Sequence, residues 1–299
     1  MSANQKSYYN SPAARRRMKR RILKDQIARK LFLVTTLLAL VVLAVLLYQI
    51  ISKSIGWLNI GFLSRTLSIF PEKAGILGAI VGSTLLMLVV IPVTVVLGVS
   101  TAIYLEEFSR HGRIHDIIST NISNLAGVPS VIFGLLGLTV FGRLLNLGSS
   151  ILAGGLTMSL LVLPIVVVSS QEAIKAVPGF LKDASYALGA TKWTTIWRIV
   201  LPSALPGILT GTILALSRAI GETAPLIVLG IPALILKIPQ NFVDNFTVLP
   251  VQIYYWTLDT VLTAEYANLA AATIVVLLLL LFIFNSLAIL IRNKFQRKY

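Results

Sequence analysis

The 299-residue sequence contains no cysteine, and charged residues make up only 12% of it. The absence of cysteine excludes a disulfide framework, a cysteine-ligated zinc site and a thiol nucleophile. Soluble globular domains carry about 25% charged residues, so the low charge argues against an ordinary soluble enzyme. Hydrophobic residues account for 56% of the chain, which excludes intrinsic disorder.

Motifs of catalysis are also missing from the sequence. The dipeptide Gly-Lys never occurs, so the chain has no phosphate-cradling P-loop, and no Gly-x-Ser-x-Gly hydrolase elbow is present. The only two histidines, His111 and His115, have an i, i+4 spacing that can suit a metal, with Asp116 nearby. Because Gly112 lies between them in a short charged loop, we expect a solvated loop, no metal site and no catalytic residues.

Acidic residues are scarce, since 11 of them stand against 26 basic ones. Ten of the basic residues and one acid, Asp25, lie within residues 1–30. The other basic residues are mostly scattered between apolar runs, so we expect no nucleic-acid partner. The sequence instead predicts a basic cytoplasmic tail over 1–30 that is attracted to anionic membrane lipid.

Long uncharged runs account for most of the remaining chain. A membrane-spanning helix needs about 20 apolar residues, whereas a membrane barrel would show short alternating segments. The sequence therefore predicts an all-α polytopic membrane protein with six transmembrane helices, the first being a retained anchor and not a signal peptide. The six runs are 31–51, 74–105, 117–142, 144–171, 203–236 (interrupted by two charges) and 266–291.

The fifth run is too long for a single span. Its 34 residues would reach about 51 Å as one helix, at 1.5 Å per residue. Gly221 and Pro225 predict a break, because proline removes a backbone donor and clashes with the preceding turn. We expect a helix from about Ser203 to Ala224, then a turn and a short outer helix.

The basic residues between the runs predict the orientation in the membrane. With the N-terminus inside, the cytoplasmic segments hold 20 Lys and Arg and the outer segments hold 5. Positive charge favours the cytoplasmic side, so both termini are predicted to be cytoplasmic.

Residues 172–202 form the longest internal segment on the predicted cytoplasmic side. Pro178 and Gly189 predict the start and end of a short helix, and Thr191 is suited to cap a second helix that Pro202 stops. Four apolar residues of the second helix form one stripe: Trp193, Ile196, Trp197 and Val200. The stripe is typical either of a docking surface or of an amphipathic helix on lipid headgroups, and both remain open.

The same segment resembles the EAA loop of ABC importer permeases, whose pattern is Glu-Ala-Ala-x3-Gly-x9-Ile-x-Leu-Pro. The sequence departs from it at Asp183, which replaces glutamate, and at Ser185, which replaces alanine. The resemblance implies that this loop inserts into a cleft of an ATPase subunit. The implied coupling residues are Asp183, Ala184, Ser185, Gly189, Ile199, Leu201 and Pro202.

Four further segments resemble the permeases of phosphate-specific (Pst) ABC importers, and the Gly-Glu-Thr-Ala-Pro-Leu form favours the A-type subunit over the C-type. The resemblance implies a type I importer permease (MetI-like) core over 74–293, with 31–51 as an additional N-terminal helix and 294–299 as a cytoplasmic tail. It also implies location in the bacterial inner membrane. The four segments are 102–107, 127–134, 218–226 and 249–254.

Arg218 and Glu222 are the only charges inside the predicted spans. A charge at a helix centre costs at least about 2.5 kcal/mol on insertion scales, so such residues usually face a cavity or a partner. Their i, i+4 spacing predicts a buried ion pair on the helix face that also holds Gly207 and Gly211. The pair either only fixes the packing of the helices or lets Arg218 face a pathway for an anion. The family resemblance favours the pathway, and Thr223 is the third residue predicted to line it.

Three other polar residues, Ser83, Thr84 and Ser130, are weaker candidates to line a pathway. Like Thr223, each is more simply explained by a hydrogen bond to the backbone of its own helix.

The resemblance implies a permease subunit that forms half of the pathway of an ATP-driven phosphate importer. The implied partners are a second permease (PstC-like), a dimer of ATPase subunits (PstB-like) that binds ATP and Mg, and a soluble phosphate-binding protein (PstS-like). The chain itself is expected to hold no cofactor. The alternatives are a permease for another oxyanion (molybdate, sulfate or phosphonate) or a membrane scaffold subunit without a pathway.

Overall fold

The computed structural model describes residues 12–110 and 112–295, and the described residues form no strand, only an isolated antiparallel bridge between Ser150 and Asn245. His111 lies outside the described residues, as do the first part of the predicted basic tail and the end of the predicted C-terminal tail. The chain divides into two compact units, the first ending at Ser52 and the second beginning at Lys53.

The long helix α1 (Pro12–Ser54) forms the described part of the first unit, and its last two residues belong to the second unit. Its 43 residues correspond to about 65 Å at 1.5 Å per residue, roughly twice the hydrocarbon thickness of a bilayer. The apolar stretch 31–51 is long enough to span, and the basic stretch before it continues the same helix. Large apolar side chains such as Phe32 and Leu38 are exposed along it, as lipid-facing side chains are.

The second unit holds the other helices of the described residues. Three of the α-helices are followed directly by a wide π turn, and one of these three is itself only a single α-helical turn. The helices are α2 (Ile60–Ser64), α3 (Leu77–Ile103, then the π turn Tyr104–Phe108), α4 (Arg113–Leu125), α5 (Ser130–Leu136, then the π turn Gly137–Leu144), α6 (Ile151–Lys175), α7 (Gly179–Ala187), α8 (Lys192–Thr195, then the π turn Ile196–Val200), α9 (Leu201–Gly221), α10 (Ala224–Val228), α11 (Leu249–Asp259) and α12 (Glu265–Phe295), and a 3-10 turn covers Pro71–Lys73.

Five helical stretches of the described residues are long and apolar enough to cross a membrane. They are α1, α3 with its π turn, α6, the continuous stretch Lys192–Gly221, and α12. A sixth crossing exists only if α4 and α5 are taken together, and these two helices are bent by 104°.

The predicted single helix over 117–142 is therefore wrong. Pro129 precedes the first residue of α5 with φ −55° and ψ 135°, which is not helical. A proline also disfavours the helical conformation of the residue before it, here Val128. The chain turns at this point, and the run forms two helices.

The sequence predicts two helix ends around the fifth run, one inside it near Gly221 and one just before it at Pro202. The predicted break and the short helix after it are confirmed, but α9 already ends at Gly221 and not at about Ala224, which is instead the first residue of α10. The predicted stop at Pro202 is wrong, since the helix continues from Lys192 to Gly221. In the π turn before Pro202 the Leu201 N–H bonds to the Ile196 carbonyl, and this wider turn accommodates a residue that has no N–H of its own.

The core of the second unit is centred on α6, which packs against α3 on one side and α9 on another. Buried residues of all three helices meet in one cluster that includes Val90, Met158, Val162, Val166 and Ala215. A second cluster joins α3 to α11 and α12 around Leu249, Trp256 and Leu269. This packing positions the end of α9, where the candidate charges lie.

Candidate functional site

Arg218 lies in the last turn of α9, and Glu222 lies just beyond its end. The Arg218 Nε atom is 3.9 Å from Glu222 Oε2, so the structure brings the two charges together. The Arg218 side chain is 56% exposed and that of Glu222 is 19% exposed. The predicted burial of this pair is therefore wrong for the arginine, whose side chain lies on the surface of the chain.

Glu222 points toward the interior. It borders a cavity of about 10 Å³ between α3, α9, α10 and α11, where Ser83, Met87, Ile220 and Leu226 are neighbours. A cavity of roughly 10–15 Å³ is just large enough for one water molecule. The pair thus joins an inward-facing carboxylate to an outward-facing guanidinium.

The other candidate polar residues lie around the same helix ends. Thr223 occupies the N-cap position of α10, where its side chain makes no capping hydrogen bond. The Thr84 hydroxyl donates to the Ile80 carbonyl of its own helix at 2.9 Å, as predicted. The Ser83 hydroxyl instead accepts from the Leu249 N–H at 3.0 Å and so ties α3 to the start of α11. Ser130 is the first residue of α5.

Gly207 and Gly211 allow α9 to approach α6 closely. A Cβ atom at Gly207 would lie 2.8 Å from the Cβ of Ala173, and one at Gly211 would overlap Ser169. Arg218 lies two turns beyond Gly211, and there the side chain is exposed.

The 172–202 loop has the predicted form of two short helices joined by a glycine elbow. Gly189 has φ +79°, a backbone conformation that glycine adopts without strain. Thr191 caps α8 by accepting a hydrogen bond from the Thr194 N–H at 3.3 Å. Asp183 and Ala184 are exposed on α7, whereas Ser185 is half-buried with its Oγ 2.8 Å from Thr195 Oγ1.

The remaining coupling candidates lie within the helix that follows the elbow. Ile199 is in the π turn, and Leu201 and Pro202 are in the first turn of α9; all three are half-buried. The predicted apolar stripe is divided, because Ile196 and Val200 are buried in the protein while Trp193 and Trp197 are exposed, with ring centroids 5.6 Å apart.

Sequence reasoning missed the role of two adjacent carboxylates, Glu106 and Glu107, in the π turn that ends α3. Both side chains are nearly buried, and both are paired: Glu106 with Lys175 and Glu107 with Lys182. The sequence indicated these residues through the position of two acids directly after a long apolar run. Their partners lie 65 or more residues away in the sequence, and no periodicity connects them.

Asp116 and His115 do not form a metal site with other residues of the described chain. No group of three or more His, Cys, Asp or Glu side chains suited to a metal occurs in residues 12–110 and 112–295. The His115 ring is largely buried, with Nδ1 3.3 Å from Ser109 Oγ.

Residues 94–297 match the family model described as binding-protein-dependent transport system inner membrane component. The chain belongs to this family. The permease is similar to the phosphate transport system permease protein PstA 1 of Mycobacterium tuberculosis H37Rv, with 37% identity over 216 residues that cover 70% of this chain and 69% of the relative. It is also similar to PstA of Yersinia pestis, with 32% identity over 266 residues that cover 89% of this chain and 88% of the relative.

Solved structures confirm the fold of the permease. The methionine ABC transporter MetNI in an inward-facing conformation has a chain that aligns with a TM-score of 0.59 and 18% identity, covering 74% of this permease and 96% of that chain. A bacterial ABC transporter involved in alginate import aligns with a TM-score of 0.64 and 16% identity, covering 94% and 100%. The prediction of an all-α, multi-pass ABC importer permease with a MetI-like fold is thus confirmed.

Proposed function

We propose that this chain is a permease subunit of an ATP-driven phosphate importer and forms half of its translocation pathway. The relatives described above are named phosphate transport system permeases, which supports phosphate as the substrate. The observation that carries the proposal is the exposed guanidinium of Arg218 at the end of a membrane-spanning helix, next to Glu222.

An arginine in this position needs a polar environment. Exposing a cationic side chain to lipid hydrocarbon costs about 2.5–3.5 kcal/mol on insertion scales. Arg218 therefore faces a water-filled path and not lipid. The path lies between this chain and a second permease (PstC-like) that covers the open face of α9. Both permeases enclose one route across the membrane.

The chemistry of the pair suits a transported oxyanion. A guanidinium offers forked N–H donors that match the oxygens of phosphate. Glu222 orients Arg218 and cancels part of its charge, and the Thr223 hydroxyl adds a neutral polar group. Weak binding is required, because an ion that is held too tightly does not leave the pathway.

The exposed face of α7 docks on a separate ATPase dimer (PstB-like), which binds ATP and Mg. Asp183 and Ala184 are the residues of the coupling set that α7 presents outward. The 20-to-5 distribution of basic residues supports a cytoplasmic location for this loop and for both termini. A soluble phosphate-binding protein (PstS-like) delivers the ion to the opposite side, and closure of the ATPases switches the core 74–293 between outward- and inward-open states.

The test is uptake into vesicles that contain this chain, the second permease and the ATPase, with ATP inside and the binding protein outside. We expect phosphate uptake that depends on both ATP and the binding protein. Sulfate, molybdate and phosphonate are offered in parallel with their own binding proteins. Transport of one of these in place of phosphate would keep the permease and reject the substrate, and a complex that assembles but moves no oxyanion would support a scaffold.

A further inference from the structure

The two acids at the end of α3 reach different elements. Glu106 accepts a hydrogen bond from Gln171 Nε2 at 2.9 Å and lies 3.5 Å from Lys175 Nζ, so its partners are both on α6. Glu107 is ion-paired with Lys182 on α7, the helix that carries Asp183. Neighbouring carboxylates thus connect α3 to the core on one side and to the coupling helix on the other.

The Glu107–Lys182 pair is largely removed from solvent. The Glu107 side chain is 7% exposed and that of Lys182 is 25% exposed. Water screens such a pair far less than a surface pair, and removing one partner leaves a nearly buried charge without compensation. Lys175 is different, because it is 52% exposed and also contacts Glu172.

Lys182 lies on the inner face of α7. Leu181, Lys182 and Ser185 are half-buried against the rest of the protein, whereas Phe180, Asp183 and Ala184 are exposed on the opposite side. In the described residues, no other ion pair joins α7 to another element.

An apolar contact and an ion pair restrain α7 in different ways. Leu181 packs against a cluster that includes Ala102 and Ile174, and such contact resists separation but is non-directional, so it allows sliding and rotation. A charge-assisted hydrogen bond is directional and fixes the position of Lys182 relative to the end of α3.

We propose that the Glu107–Lys182 pair is the linkage through which movement of the coupling helix α7 is passed to the membrane-spanning helix α3. The proposal rests on the proposed docking of α7 on the ATPase. Glu107 and Lys182 are positioning residues, since neither touches the ion or the nucleotide. Without the pair, α7 shifts against α3 when the ATPases close, and ATP is hydrolysed without a matching conformational change.

The test measures the number of phosphate ions imported per ATP hydrolysed by the complete importer in vesicles. We expect Glu107→Gln and Lys182→Gln each to lower this ratio at least about fivefold in assembled complexes. The double variant Glu107→Lys with Lys182→Glu restores the pair in reverse, and we expect it to recover at least half of the wild-type ratio. Lys175→Gln is the matched control on the exposed neighbouring pair, and its ratio stays within twofold of wild type.

Two results would overturn the linkage. A pair that only stabilises the fold would lower the amount of assembled complex and leave the phosphate-to-ATP ratio of the assembled fraction unchanged. A charge-reversed double variant that assembles and couples no better than the single variants would also reject it. If phosphate is not the substrate, the wild-type importer itself moves no phosphate, which distinguishes this outcome from failure of the linkage. The ratio of ions imported to ATP hydrolysed is then measured with the oxyanion that the importer does move.

Discussion

At the scale of single residues, the approach of α9 to α6 depends on positions without a side chain. A Cβ atom at Gly211 would overlap Cβ and Oγ of Ser169, whereas one at Gly78, in α3, would meet no atom within 4 Å. We expect Gly211→Ala to force the helices apart and to destabilise the protein by about 1–3 kcal/mol, as overpacking does. The measurement is thermal unfolding of the purified chain in detergent.

Gly78→Ala is the matched control for this prediction. It adds the same methyl group in a helix with open space, and glycine-to-alanine changes inside helices gain up to about 1 kcal/mol from helix propensity. We therefore expect an unchanged or slightly higher unfolding temperature. Equal destabilisation by the two substitutions would contradict the close packing of α6 and α9.

Asp244 shows how one carboxylate organises a loop outside the membrane-spanning helices. Its Oδ2 accepts the backbone N–H groups of Gln240 and Asn241, both at 2.9 Å, and these hydrogen bonds lower the pKa of Asp244 from its usual value. A lowered folded-state pKa contributes stability above the unfolded-state pKa and loses it as the pH falls through the folded-state value. Above about pH 5 the contribution is complete, and it disappears in the acid range below about pH 4.

We expect amide hydrogen exchange, corrected for its intrinsic pH dependence, to show protection of Gln240 and Asn241 at pH 6 that declines as the pH falls below the ordinary aspartate pKa of about 4. In Asp244→Ala the protection is low throughout this range, because the acceptor is absent. Protection at pH 6 that is the same in the wild-type chain and in Asp244→Ala would show that the carboxylate does not hold this loop.

At the scale of helices, glycine and proline decide where the elements end, but their local context decides the outcome. The elbow at Gly189 is as predicted, whereas α9 ends at Gly221, before the expected end at about Ala224. Pro129 divides the apolar run 117–142, which hydropathy alone predicts to be one span, into two helices. Pro202 does not end the helix in which it lies, because a π turn precedes it. Hydropathy shows which segments are apolar. It does not show the backbone hydrogen-bond pattern, which determines whether a helix breaks or continues at a proline.

The elbow between α7 and α8 gives a prediction at this scale. Gly189 has φ +79° and no atom lies within 4 Å of its added Cβ, so Gly189→Ala suffers only backbone strain, on the order of 1–2 kcal/mol. We expect trypsin to cleave faster at Lys182 and Lys192, on either side of the elbow, in the purified chain.

Gly189→Asn is the control for the elbow, because asparagine tolerates the left-handed conformation better than alanine does. Its cleavage rate is expected to lie between those of the wild type and Gly189→Ala. Identical cleavage of all three chains would show that the elbow does not depend on this glycine.

At the scale of the whole molecule, the sequence predicts the charged pair but not its surroundings. Arg218 and Glu222 lie four residues apart, so their proximity follows from helix geometry. The exposure of Arg218 depends on where α9 ends and on which helices cover it, and the link from Glu107 to Lys182 depends on contacts across 75 residues. Tertiary packing of this kind leaves no local pattern in the sequence.

The open face at Arg218 is the feature on which the account of the whole molecule depends. Within the described residues, the guanidinium has Glu222 as an ion-pair partner and is otherwise largely exposed at the end of a membrane-spanning helix. The proposed pathway between two permeases would give this charge a polar environment.

The most direct test compares phosphate uptake by the complete importer with Arg218→Gln and with Arg143→Gln, another exposed arginine. We predict that Arg218→Gln lowers uptake at least about tenfold while the complex still assembles, and that Arg143→Gln leaves uptake within twofold of wild type. Unchanged uptake by assembled Arg218→Gln would contradict the account, since the arginine would then have no part in moving the anion.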